Sequence, residues 1–60
     1  MHWYRIEFTF NHGGSSYIDV FSPEEVADPT PFDLVDFNAA NIDLLNVLMM
    51  EVKYLGCEVN

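Results

Sequence analysis

Basic side chains are almost missing from this chain. Arg5 and Lys53 stand against ten Asp and Glu residues, and the formal net charge is −8. The 47 residues from Ile6 to Val52 hold no Lys or Arg and nine of the acids. Nucleic-acid binding draws its affinity from cations that neutralise phosphates, so direct binding to DNA or RNA is not expected. Anionic membrane surfaces are disfavoured for the same reason.

Cysteine is nearly absent as well. With Cys57 alone, no internal disulfide can form, and His2 and His12 have no partner ligands at zinc spacing. No metal and no cofactor is expected. The N-terminus lacks a basic segment followed by an apolar run, so no signal peptide is expected. The apolar run near the C-terminus is too short and too charged to span a bilayer. A free thiol without an export signal fits the cytoplasm.

Length is the other scarcity. Sixty residues make one domain, 1–60. A chain of this size buries only about 60% of the surface its unfolded form exposes. Disulfide and metal being excluded, self-association or docking onto another protein is the expected supplement.

What is present is apolar and aromatic. Half the residues are hydrophobic and nine are aromatic, which argues against disorder. The longest nearly unbroken apolar run is Asn46 to Leu55, closed by Gly56, and whatever fold forms is expected to bury it.

From His2 to Phe10 the pattern has a period of two. Tyr4, Ile6, Phe8 and Phe10 share one face; Trp3, Arg5, Glu7 and Thr9 share the other. Residues 11–15, Asn-His-Gly-Gly-Ser, are turn chemistry, and Ser16 to Phe21 resumes the alternation with Ile18 and Val20 inward. A β-hairpin over residues 2–21 follows. Ser22-Pro23-Glu24-Glu25 reads as a helix start, with a capping serine, proline at the first helical position and an acid at capping-box spacing. Asp28-Pro29 and Thr30-Pro31 interrupt it. A second helical attempt from Pro31 is expected to run through Phe37-Asn38-Ala39-Ala40. Residues 22–45 are thus an acidic helical crossover and residues 46–55 a C-terminal strand, with Leu48, Met50, Val52 and Tyr54 inward and Val47, Met49, Glu51 and Lys53 outward. A helical stripe of Ile42, Leu45, Met49 and Val52 keeps a long C-terminal helix open, which would make the fold ββα.

The connection rules then predict an α+β domain, ββαβ, with a three-stranded mainly antiparallel sheet in the order 2-1-3 and helix on one face. The expected core is Tyr4, Ile6, Phe8, Ile18, Val20, Leu48, Met50 and Val52 against Leu34, Val35 and Phe37.

Two surfaces invite a functional reading. Glu24, Glu25, Asp28, Asp33, Asp36 and Asp43 lie along the crossover with no counter-charge between them. Carboxylates on a scaffold can imitate the phosphates of a nucleic acid and occupy a basic groove. The plainer reading is a solvated face whose acids favour helix N-termini. Trp3, Tyr17 and Phe21 would stand on the uncovered sheet face, as anchors for a partner or as residues half covered by loops. His12 reads as a polar loop residue. Glu24 with Glu25, and Asp33 with Asp36, lack the surroundings of acid–base or calcium sites. Cys57 lacks the base or positive field of a catalytic thiolate.

A hairpin, one crossover and strong acidity in about sixty residues are similar to small inhibitor proteins encoded by phages and other mobile elements. The likeness lies in size and charge, and it implies a non-enzymatic inhibitor or modulator. Its expected partner is a protein with a basic surface: a nuclease, polymerase or other nucleic-acid-binding enzyme. The alternative is a structural module that forms a homodimer or larger homo-oligomer through its sheet face, with acidity serving solubility. No nucleophile–base pair, metal set or phosphate loop suggests an enzyme.

Overall fold

The strand that orders the molecule is β1, His2–Phe10, the centre of a three-stranded antiparallel sheet. The computed structural model describes residues 1–58. β2, Ser15–Ser22, pairs with one edge of β1 and β3, Val47–Cys57, with the other, so the order is 2-1-3 as the connection rules predict. The asymmetry of β1 is the reason for its place: Tyr4, Ile6 and Phe8 are buried, while Trp3, Arg5, Glu7 and Thr9 between them are half-buried. At the hairpin turn the Phe10 N–H donates to the Gly14 carbonyl (2.8 Å) and the Gly13 N–H to that of Phe10 (2.9 Å). Gly13 takes φ 93°, which a side chain would resist.

The connection back to β3 departs from the expected helix start. Residues 23–30 form bends rather than a helix. The Ser22 hydroxyl closes a local turn, accepting from the Glu24 N–H (3.3 Å) and donating to the Glu24 carbonyl (2.6 Å). The Tyr4 hydroxyl then takes the Val26 N–H (2.9 Å) and donates to the Val26 carbonyl (3.4 Å). Both backbone groups that Val26 would offer to a helix are thereby engaged.

The second helical attempt exists in pieces: α1, Pro31–Leu34, then α2, Phe37–Ala40, then a 3-10 turn, Leu44–Asn46. Val35 and Asp36 between the first two are extended. Asp36 explains the interruption, because its carboxylate caps a fresh helix by accepting from the Asn38 and Ala39 N–H groups. Asn41 ends α2 in the left-handed region (φ 56°), which asparagine tolerates. The long C-terminal helix does not form, since Val47–Cys57 is strand.

The buried core is smaller than predicted. Ile6, Phe8 and Phe37 form its centre, with Leu34, Val35, Ile42, Ile18, Val20, Val47, Met50 and Val52 half-buried against it. Leu48, expected inside, is 68% exposed. A bulge is the cause: Thr9 pairs with Met49 but Phe10 pairs with Val47, so Leu48 has no partner and Val47 takes the inward place. A second bulge leaves Leu55 unpaired between Tyr54 and Gly56, where Gly56 adopts φ 125°. Tyr54 keeps its inward direction, 5.2 Å from the Tyr4 ring, but lies at an open margin and is half exposed.

Candidate functional site

The six crossover acids are all exposed, and the chain itself uses half of them. Asp33 closes a capping box: its Oδ2 accepts from the Thr30 N–H (2.8 Å) while Thr30 Oγ1 accepts from the Asp33 N–H (3.3 Å). These bonds to Thr30, the backbone one foremost, hold the Asp33 carboxyl below its ordinary pKa. Asp36 caps α2. Asp43 accepts from the Leu45 N–H (3.1 Å) and, through its other oxygen, from the Asn46 side-chain amide. Glu24, Glu25 and Asp28 serve no helix cap; Asp28 sits at φ 46° in the bend before Pro29. The plainer reading therefore accounts for Asp33, Asp36 and Asp43 as local fasteners of the backbone. Beside them runs an open groove of about 490 Å³, with Phe32 and Leu44 apolar and Asp33 and Asp36 acidic along it.

The opposite face of the sheet gathers the chain's only two bases. The ladder sets Asp19, Arg5 and Lys53 in one rung across the three strands, and Tyr17, Glu7 and Glu51 in the next. Arg5 grips Asp19 with two bonds, from Nε to Oδ1 (2.8 Å) and from Nη2 to Oδ2 (3.1 Å). Its guanidinium carbon lies 4.2 Å from the centre of the Tyr17 ring. The bond from Arg5 is what lowers the Asp19 carboxyl pKa, and the same bond raises that of Arg5. Lys53 reaches diagonally to Glu7 (3.2 Å).

Of the predicted anchors, Trp3 and Phe21 come together, ring centres 5.5 Å apart, and Phe21 is 56% exposed. The Trp3 indole N–H donates to Glu58 (2.9 Å). Tyr17 is equally open but lies two rungs away, against Arg5. Met49 is outward, as predicted. Sequence reasoning missed Leu55 on this face, although the alternation that turns Tyr54 inward turns the next residue outward. It also passed over the order of the charges. Arg5 precedes Glu7 in β1 and Glu51 precedes Lys53 in β3, so antiparallel pairing brings like to like.

Neither histidine builds a centre. His2 Nδ1 lies 2.9 Å from the Tyr54 hydroxyl, and His12 stacks on Phe10 while accepting from the Gly14 N–H. Among the described residues, no group of three or more His, Cys, Asp or Glu side chains is placed to hold a metal ion. No helix among them is long and apolar enough to cross a membrane.

No protein-family model, curated protein or solved structure matches this chain. The two surfaces therefore carry the functional reading by themselves.

Proposed function

We propose that this protein is a non-enzymatic binder that occupies a basic surface on a nucleic-acid-processing protein and inhibits or modulates it. The observation that carries the reading is the segregation of charge. Residues 22–46 contribute six acids and no base, while Arg5 and Lys53 are held on the other side of the sheet by Asp19 and Glu7. Grouped as one unit, the short helices make the architecture ββαβ, with a helical layer whose charged side chains are all acidic. Such a layer steers toward cationic clefts by the same field that draws DNA or RNA there. Phe32 and Leu44, in the groove beside Asp33 and Asp36, add apolar contact. With its exposed free Cys57 thiol, the protein fits a cytoplasmic target.

The test uses the three acids that cap nothing, with circular dichroism to check that the variant folds, since Asp28 sits in the left-handed region. Tagged protein is offered to a cell lysate at about 0.1 M and about 0.5 M salt, which brackets strong screening. The reading expects capture of a nucleic-acid-binding protein at the lower salt only, its release by added DNA or RNA, and its loss in the Glu24→Lys, Glu25→Lys, Asp28→Lys triple variant. Capture that survives the higher salt and the triple reversal overturns it.

A further inference from the structure

The uncovered sheet face is arranged unfavourably for an isolated molecule. Arg5 stands directly opposite Lys53, and Glu7 directly opposite Glu51. Like charges facing each other across an antiparallel pair are destabilising. The diagonal Lys53–Glu7 contact relieves only part of this. The two rungs together, Asp19, Arg5, Lys53, Glu7 and Glu51, sum to a single negative charge on a chain of −8. On this face two such acidic molecules can approach closely without strong repulsion.

The sequence of rungs is also self-complementary. Along the strands the order is Phe21 and Trp3, then the basic rung, then the acidic rung, then Ser15, Thr9 and Met49. A two-fold axis parallel to the sheet and outside its outward face, running across the strands above the gap between the basic and acidic rungs, sets a second copy face to face with its strands reversed. Arg5 then lies over Glu7 of the second copy and Lys53 over its Glu51. At the two ends, the bulky Trp3 and Phe21 meet the smaller Thr9 and Ser15. Leu55, unpaired at its bulge and 47% exposed, turns toward Met49 of the other chain. An isologous interface needs a patch that complements itself in this way. Aligned face-to-face packing is the ordinary relation between two such sheets.

We infer that the outward face of the sheet, centred on Arg5, Glu7, Glu51 and Lys53, is the interface with a second copy of this chain, packed face to face with strands antiparallel. The dimer is a sandwich with both sheets inside and both acidic crossovers outside. The inference stands independently of the proposed target, because it concerns the protein alone.

The test is the mass of the purified protein in solution by sedimentation equilibrium, from about 1 µM to about 1 mM, across the range where weak and firm dimers dissociate. The wild-type chain is expected to dimerise within it. Glu51→Lys and Lys53→Glu are each expected to raise the dissociation constant tenfold or more, since each sets like charge over like. The double variant Glu51→Lys, Lys53→Glu exchanges the two signs and is expected to recover most of the loss. Circular dichroism checks that each variant folds. If a reversal does not fold, Glu51→Gln and Lys53→Gln carry the same test, with smaller single losses. A chain monomeric throughout the range overturns the inference, as do single variants that dimerise as well as wild type. So does a charge-exchanged double variant no better than the singles.

Discussion

The crossover and the uncovered sheet face carry nearly all the charge of this protein and manage it in opposite ways. In the crossover, carboxylates bind backbone. Asp33, Asp36 and Asp43 accept from N–H groups that a short helical turn would otherwise leave without partners, so the acids hold the chain's shape without any counter-ion. On the sheet, charges bind charges: Arg5 with Asp19 and Lys53 with Glu7, at exposed positions where salt screens them. Acids that fasten backbone leave a surface charged in one sign, whereas paired charges leave a patterned one. A negative surface suits a cationic partner; a patterned one selects by register.

The contrast breaks most visibly where the two regions meet. Phe37 is the one crossover side chain in the buried core, its ring edge-on to Phe8 with centres 6.3 Å apart. Phe37→Ala is expected to lose about 3–5 kcal/mol, comparable with the whole stability of a domain this small. Circular dichroism during urea titration should then show no cooperative transition in the variant. Leu45→Ala, at a crossover residue 90% exposed, should shift stability by less than about 0.5 kcal/mol in the same titration.

A middle-sized effect isolates the capping role. Asp36→Ala should lose about 1 kcal/mol, and Asp36→Asn much less, because the amide oxygen can still accept from Asn38 and Ala39. Equal losses would mean that the charge rather than the cap stabilises α2. On the sheet, Glu51→Lys places opposite charges across from each other at Glu7. At protein concentrations low enough to keep the chain monomeric, it should raise stability by roughly 0.2–1 kcal/mol.

The finest discrimination comes from acid. Asp33 and Asp19 both have folded pKa values below their ordinary ones, Asp33 through Thr30 and Asp19 through Arg5. A carboxyl lowered on folding adds stability above its unfolded pKa and loses it as pH falls through the folded value. The urea midpoint should therefore fall below about pH 4, and Asp33→Asn or Asp19→Asn should each flatten that fall. Raising the salt to about 1 M should remove most of the Asp19 contribution, an ion pair, and spare that of Asp33, a hydrogen bond to backbone. Equal salt sensitivity at the two sites would erase the distinction between the regions.

Much of the architecture was legible in the residues alone because its causes are local. The period of two from His2 to Phe10, the glycine turn at residues 11–14 and the second alternation over β2 each depend on near neighbours. The cap-then-proline pair Thr30-Pro31 that opens α1 is local in the same way. The helix start at Ser22 had equally good local credentials and did not form. A tyrosine hydroxyl 22 residues earlier in the chain binds the backbone of Val26, and no local pattern predicts that.

The sequence by itself determined the charge imbalance, the strand with one apolar and one polar face, and the three-stranded order 2-1-3 that the connection rules extract from it. Tertiary structure alone decided the register of β3. A bulge turned Leu48 outward and gave Val47 the inward place, and the ladder set Arg5 against Lys53 and Glu7 against Glu51. The physical reason is that alternation reports which face a residue prefers. Which residue of a distant strand stands opposite it is a property of the whole ladder. There, burying Val47, Met50 and Val52 against Ile6 and Phe8 outweighs the modest repulsion of like charges left in solvent.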